Sequence, residues 1–492
     1  MEALNRLVYR RQYILSPEKI ECPFMHEISQ ITDKYILYTH PDLVVSQYQN
    51  GERHLVLLGD IFDYENTGKG NSEILKDMSV AAIDAIPELT SKYTGRFVLI
   101  LIQDDRIILL HDSIAYKKIY YATHRNGLWF CSHPHLLAKV LGLKSTQDHS
   151  KLEFYKSADF IRLSNSNLGD TTYFDEVRQL MPNHFFDVTA NRIERYWPSK
   201  RISQLGLTEA TERCGIMVKG YMESIANRYK IMLPVTSGYD SRLLMSGTKD
   251  YKNDVLYYIN KEASQGNEGR DIRIPNELFK NLNLKFNQLI LPTEIDKSFK
   301  KIFFENNPLA SKEFLPHIYN YYLHYSDWIN LPGNIASTPF GINNLNTRTV
   351  TIDKINKYFG IHKYGYANDY FKQWMGECQE LCQSVNINVM NLYYWEEKMP
   401  NWGAQIALDK DIAQDEISPL NSRLLIETIF SVPLKYRNIP DKILHRKIIK
   451  DLWPELMSVP FNPSRKNTVF MMLASLGLFN TVSKLRYRIT GK

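Results

Sequence analysis

The fifteen residues from Ile231 to Met245 (Ile-Met-Leu-Pro-Val-Thr-Ser-Gly-Tyr-Asp-Ser-Arg-Leu-Leu-Met) constrain this chain more than any other stretch. The apolar run Ile231 to Val235 reads as a buried parallel strand. Thr236 to Ser241 then reads as a tight turn, and Arg242-Leu-Leu-Met has the apolar density of a helix start. A strand, a turn of small residues and a helix make an anion site, because the turn amides and the positive helix end point at one place. Small residues let the backbone close on phosphate oxygens, and Asp240 is placed to hold the magnesium that accompanies a nucleotide. The loop is not of the Walker A type, since no Gly-Lys-Ser/Thr follows.

Around this loop the second half of the chain alternates strand and helix. Thr208 is expected to cap a helix running to about Asn227, with Glu212 in its first turn. Asp254 to Ile259 and Lys285 to Leu291 read as strands flanking a helix from Ile272 to Asn281, which Asn267 to Asp271 open. Strand–helix alternation implies a parallel sheet whose ligands sit at the carboxyl ends of its strands, where 236–241 falls. Asp271 reads better as a helix N-cap or first-turn acid than as a ligand-binding residue. The aromatic residues Tyr358, Phe359, Tyr364, Tyr366, Tyr370 and Phe371 read better as helix-packing core than as a sugar or peptide pocket.

The first half is strand-rich. Tyr35 to Tyr38, His54 to Leu58, Phe97 to Gln103 and Arg106 to His111 are expected strands, with Asp104-Asp105 as a hairpin turn. Helices are expected near Ser72 to Met78 and Pro134 to Leu141. The pattern predicts an N-terminal α+β sandwich over 1–195 and an α/β domain over 205–492. At 492 residues, 44% of them hydrophobic, there is material for both cores. The net charge of +6, spread along the chain, gives no basic stripe and argues against a nucleic-acid partner. Five cysteines (22, 131, 214, 378 and 382) lack metal-site spacing and fit a reducing, cytoplasmic setting. No apolar run reaches membrane-spanning length, and the N-terminus lacks the apolar core of a signal peptide.

Thr236 to Ser241 resembles the Ser-Gly-Gly-x-Asp-Ser loop (PP-loop) of ATP pyrophosphatases, with Ser in place of the first Gly. Ahead of it, six fragments follow the order seen in the glutamine amidotransferase domain of the asparagine synthetase family. They are Leu58-Gly-Asp-Ile61, Asn71-Ser-Glu-Ile-Leu75, Tyr93-Thr-Gly-Arg-Phe97, His111 to Tyr121, Cys131-Ser-His-Pro134 and Tyr173 to Asn183. Ile417 to Glu427 and Lys442 to Glu455 resemble later segments of the same family, so the resemblance covers nearly the whole chain. It implies an Ntn-like amidotransferase sandwich followed by an adenine-nucleotide α-hydrolase-like synthetase domain, with ATP and Mg2+ as cofactors. It also implies that Thr236, Ser237, Gly238, Tyr239, Asp240 and Ser241 bind ATP, and that Asp240 holds the metal. The strand after the loop would frame adenine through Tyr257 to Asn260, with Tyr258 and Ile259 nearest.

Three departures qualify that expectation. A working glutaminase uses an N-terminal Cys whose α-amine serves as base; this sequence starts Met1-Glu2, so its glutaminase is expected to be lost, as in the β-lactam synthetases and lasso-peptide cyclases. The family's second acidic loop, Ser-Gly-Glu-Gly-x-Asp-Glu, reads Gly333-Asn334-Ile-Ala-Ser-Thr338, leaving only Gly333 and Asn334 to offer contacts. The family lysine falls near Phe461-Asn462, and Arg465 and Lys466 are the nearest cations that could take its role. The expected function is an AMP-forming amide ligase joining ammonia or another amine to a small-molecule, glycan or peptide carboxylate, alone, as a homodimer or within a biosynthetic complex. The alternative is a non-catalytic ATP-binding scaffold, favoured by the lost carboxylates. An RNA-modifying pyrophosphatase shares the loop but has no use for the first half.

Overall fold

A computed structural model describes residues 2–125, 127–335, 350–437 and 442–462. In the first half the strands form two six-stranded antiparallel sheets. One has the order Arg178–Gln179, Tyr120–His124, Gly127–Cys131, Tyr13–Ser16, Tyr35–Thr39, His26–Thr32. The other runs Arg192–Arg195, His184–Asp187, Arg106–His111, Tyr93–Gln103, Arg53–Asp63, Val45–Asn50. Period-two alternation divides their side chains between faces. Val56, Leu58, Val98, Ile100 and Leu109 meet Tyr13, Leu15, Leu37 and Phe130 between the sheets. Leu55, Leu57, Leu99 and Leu101 face outward onto the helix Asn71–Met78 through Ile74, Leu75 and Met78. On the far side, Ile14, Ile36 and Trp129 pack on the helix Pro134–Leu141 through Leu136 and Leu137. The result is the expected sandwich, in four layers from helix to helix. The expected hairpin turn is present at Asp104-Asp105, where Asp104 takes a φ of 53°.

The second half holds a four-stranded parallel sheet in the order Asn287–Ile290, Leu256–Lys261, Ile231–Pro234, Ile329–Asn330. The loop strand is therefore central, paired on both sides. Strand ends in this sheet differ from the sequence reading by at most two residues, as Asp254 and Val255 precede the ladder that starts at Leu256. The helix before the loop is Leu207–Ala226, capped by Gly206 in an extended conformation with no side-chain cap bond. Thr208 is thus inside the first turn rather than capping it, and the first-turn acid is Glu209 instead of Glu212. The helix thus begins two residues earlier than the Thr-x-x-x-Glu pattern suggests, just after the Leu205 N–H is tied to Ser431 O (3.0 Å).

Buried polar contacts join the halves. Arg96, 2% exposed, donates to both carboxylate oxygens of Asp411 (2.6 and 2.9 Å) and to Asp415 (3.0 Å). The Trp395 indole N–H donates to Ser113 O (2.7 Å), and Asn421 Nδ2 donates to Gly95 O (2.7 Å) and Asp112 Oδ1 (2.8 Å). A Cβ at Gly220 would lie 2.2 Å from Tyr64 O, so the helix Leu207–Ala226 can lie against the sandwich only with glycine there. One apolar core includes Phe62, Ile114 and Tyr116 from the first half with Tyr221, Leu243 and Trp395 from the second. Tyr364 and Phe371 are buried in it, with Tyr366 and Tyr370 packed against it, as the core reading of that aromatic run expects. The side chains of Tyr358 and Phe359 lie outside those described. All five cysteines are buried and free.

Candidate active site

Pro234 ends the central strand, and the chain turns through Thr236-Ser237-Gly238 into the helix Tyr239–Ser246, with Asp240 in its first turn. The loop thus sits at the carboxyl end of the parallel sheet, as ligand loops of such sheets do. Gly238 caps the helix in an extended conformation with no side-chain bond, leaving the helix start to its backbone amides.

The amides of the loop before it are not free, which differs from the sequence expectation. The Thr236 N–H donates to Ser241 Oγ (3.1 Å) and the Gly238 N–H to Thr236 Oγ1 (3.2 Å). Asp271 Oδ1 accepts from both the Ser237 N–H (3.1 Å) and the Ser237 hydroxyl (2.5 Å). Asp271 lies in the first turn of Arg270–Leu282, whose N-cap is Gly269, so its carboxylate is held by one helix start and aimed at another. It occupies the loop as an anion would.

Asp240 has a cationic neighbour from a distant part of the chain. Lys442, at the start of the helix Ile443–Leu452 and in a left-handed conformation (φ 38°), places Nζ 2.9 Å from Asp240 Oδ1. The lysine side chain is 12% exposed and the aspartate 31%, so the carboxylate keeps one open side. His445, one turn further on, stands 3.7 Å from the same oxygen. Burial, with the nearby Lys442 charge, pushes its imidazole well below the ordinary histidine range, so that contact is not an ion pair at neutral pH. Gly333 packs on Asp240 from the other side, where a Cβ would come within 3.1–3.3 Å of Asp240 atoms.

Beneath the loop, Arg242 is fully buried and donates to Val459 O (2.8 Å) and Pro460 O (2.7 Å). Its guanidinium lies 4.1 Å from the centre of the Phe461 ring, and Tyr239 stacks on that ring at 4.4 Å and 1°. The Asn462 N–H donates to Ser237 O (2.9 Å). Residues 456–462 therefore form the loop's floor.

The sequence-derived candidates fall into three groups. Thr236 to Ser241, Gly333 and, beyond them, Lys442 and Asp271 come together. Tyr258 belongs to the neighbouring strand: its carbonyl accepts from the Val235 N–H (2.9 Å), while its hydroxyl turns inward to Asn330 Oδ1 (2.9 Å). Ile259 pairs with Gln288 on the same strand. Asn334 leaves the loop for the Met399–Gly403 region, where its Nδ2 lies 3.2 Å from the Cβ position of Gly403. Arg465 and Lys466, like Ala336 to Thr338, lie outside the described residues. Lys442 was visible in sequence only as the head of a family-like segment, 202 positions from its aspartate.

A magnesium ion requires little protein here. Mg2+ keeps several waters and takes one or two carboxylates together with substrate phosphates. Asp240, with one side open, fits the first of these requirements. Among the described residues no group of three or more acidic, His or Cys side chains is arranged to hold a metal by itself. Nor is any described helix long and apolar enough to cross a membrane.

No protein-family model and no curated protein matches this chain. Solved structures similar to it include the glutamine phosphoribosylpyrophosphate amidotransferase from B. subtilis complexed with ADP and GMP, at 11% identity and a TM-score of 0.24. That match covers 60% of this chain and 64% of the other, less than two thirds of its length. A second is described as the allosteric regulatory enzyme of purine biosynthesis, at 10% identity and a TM-score of 0.25, covering 73% of this chain and 84% of that one. Likeness at this level carries no weight for function, and the architecture above stands on strand order and pairing alone.

Proposed function

We propose that this chain is an ATP-dependent amide-forming ligase of asparagine synthetase type, in which the sandwich no longer hydrolyses glutamine. The observation that carries the reading is the strand–loop–helix at 231–246, with Asp240 at the helix start and Lys442 against it. A carboxylate substrate attacks the α-phosphorus of ATP and pyrophosphate leaves; ammonia or another amine then attacks the acyl carbon and AMP leaves. The helix-start amides orient the triphosphate, joined by the loop amides once the phosphate displaces their contacts to Ser241, Asp271 and Thr236. Magnesium, when bound with the nucleotide, neutralises phosphate charge. Lys442 supplies a cation at the loop for charge that develops on the leaving phosphates. The Arg242–Phe461–Tyr239 stack holds the loop's floor rigid.

A second reading, a nucleotide-binding or scaffold homologue without turnover, draws support from one observation: the loop amides are engaged by Ser241, Asp271 and Thr236. Turnover separates the two. AMP and pyrophosphate are measured from Mg-ATP with a panel of carboxylic acids (aspartate, uronic acids, short acidic peptides), each with ammonium or with glutamine. The ligase reading expects AMP with ammonium for at least one acid and none from Asp240→Ala. Nucleotide binding without AMP for any acid selects the scaffold. AMP with glutamine alone refutes the lost glutaminase.

A further inference from the structure

Apart from the loop, a cleft of about 540 Å³ opens between the helix Pro134–Leu141, the N-terminal segment at Tyr9 and the helix Lys297–Asn306. Its volume lies within the roughly 300–1,000 Å³ of small-molecule sites. It opens beside the positions His135, Ala138 and Lys139 of Pro134–Leu141, at the edge of the core that this helix shares with the sheet, and none of its lining residues belongs to the loop site.

The lining is chemically specific. Tyr9 and Phe174 are buried aromatic residues that form its apolar part. The His135 ring meets Phe174 edge-on at 5.0 Å, and burial brings its imidazole down to about 4, so it is neutral at physiological pH. Among the described residues neither ring nitrogen of His135 finds a hydrogen-bond partner in the protein. One helical turn on, Lys139 is exposed; its Nζ stands 5.7 Å from the Tyr9 ring centre and 5.5 Å from that of Phe24. Among the described residues no carboxylate lies within 4 Å of it. On the opposite wall Glu305 is exposed, its nearest cation being Lys301, one turn away at 3.7 Å. Asn306 anchors that wall to the N-terminal segment, accepting from the Tyr9 N–H (3.0 Å) and donating to Leu7 O (2.9 Å).

An ammonium and a carboxylate thus face one cleft without pairing with each other, over an aromatic floor beside a neutral imidazole. A ligand matching all three features carries a carboxylate, an ammonium and an apolar body. We infer that this cleft binds a free α-amino acid with an aromatic or large apolar side chain. Its carboxylate meets Lys139, its ammonium meets Glu305 and its side chain lies against Tyr9 and Phe174, with His135 as a further hydrogen-bonding partner.

Calorimetric titration and saturation-transfer NMR on the full chain, with phenylalanine, tyrosine and leucine as probes, test this directly. N-acetylphenylalanine and phenylalaninamide serve as probes with one charge removed. The expected result is binding of phenylalanine, weakened about tenfold or more by blocking either charge, as loss of a charge-assisted contact gives. Lys139→Met and Glu305→Gln, both at exposed positions, should weaken phenylalanine by a similar factor. Lys139→Met should also stop discriminating the amide, and Glu305→Gln the acetylated compound. Absence of binding by all three amino acids at millimolar concentration overturns the inference. So does equal binding of the blocked compounds, or binding that survives both substitutions. Since the readout is binding of an amino acid and not release of AMP, failure here leaves the ligase reading standing, and the reverse also holds.

Discussion

Replacing Asp271 with alanine should make the loop a better anion site. Its Oδ1 holds the Ser237 N–H at 3.1 Å and the Ser237 hydroxyl at 2.5 Å, two donors that a phosphate oxygen would otherwise take. Hydrogen bonds to a charged group contribute about 1.5–3 kcal/mol each in net terms. The carboxylate is about half exposed, at 47%, so the lower end of that range applies. An incoming phosphate must displace this contact and also meets the repulsion of a nearby like charge. Two such contacts at about 1.5 kcal/mol each, roughly halved for solvent screening at this exposure, leave a competing interaction of about 1.5 kcal/mol, and removing it tightens phosphate binding by roughly tenfold. Titration of Mg-pyrophosphate into wild type and Asp271→Ala reads the change, and Asp271→Asn should fall between them, since it keeps an acceptor without charge. Affinity that falls in Asp271→Ala would refute the reasoning. It would mean that the carboxylate contributes to ligand binding instead of standing in for the ligand.

Three further outcomes follow from the same geometry. Lys442→Met should lower the rate of AMP formation by roughly 10²–10³-fold, the usual loss for one transition-state charge contact, with circular dichroism unchanged; wild-type turnover would remove Lys442 from the mechanism. Asp411→Ala should destabilise the chain by about 1.5–3 kcal/mol, because the buried Arg96 loses its two-pronged partner and keeps only Asp415 at 3.0 Å as a counter-charge; a urea midpoint within error of wild type would contradict this. Asp409, pushed up to about 7 chiefly by burial, is held protonated in the folded chain across much of the acid range. Its contribution is therefore fully present below the ordinary aspartate range and is lost as pH rises toward 7. Asp409→Asn should remove that decline between about pH 4 and 7, and an unchanged pH profile of the urea midpoint would exclude it.

The parts of the fold that could be read from sequence are those fixed by local patterns. Ile231 to Val235 is apolar because both faces of a central parallel strand are covered, and the small residues after it mark the turn. The sandwich strands announce themselves through runs such as Phe97 to Gln103, and Pro134 to Leu141 has its helix start fixed by the proline. What sequence could not give is set by contacts between distant segments. Thr208 carries the chemistry of a cap, yet the chain enters its helix through Gly206, just after the Leu205 N–H is tied to Ser431 O (3.0 Å) from a distant segment. Asp271 reads as an ordinary first-turn acid until the turn of the preceding unit brings Ser237 to it. Lys442 sits in a basic helix start among several cations. Only the packing of Ile443–Leu452 beside the loop helix brings that one, and not its neighbours, to Asp240.

The most direct test of adenylation follows the carboxylate's own oxygen. With an acid that supports AMP formation labelled by 18O in both carboxylate oxygens, the account predicts that each AMP released carries one labelled oxygen on its phosphate. The adenylated carboxylate leaves that oxygen behind when the amine attacks. Unlabelled AMP, or label found in inorganic phosphate alongside ADP, would contradict attack at the α-phosphorus and with it the ligase assigned to the loop at 236–241.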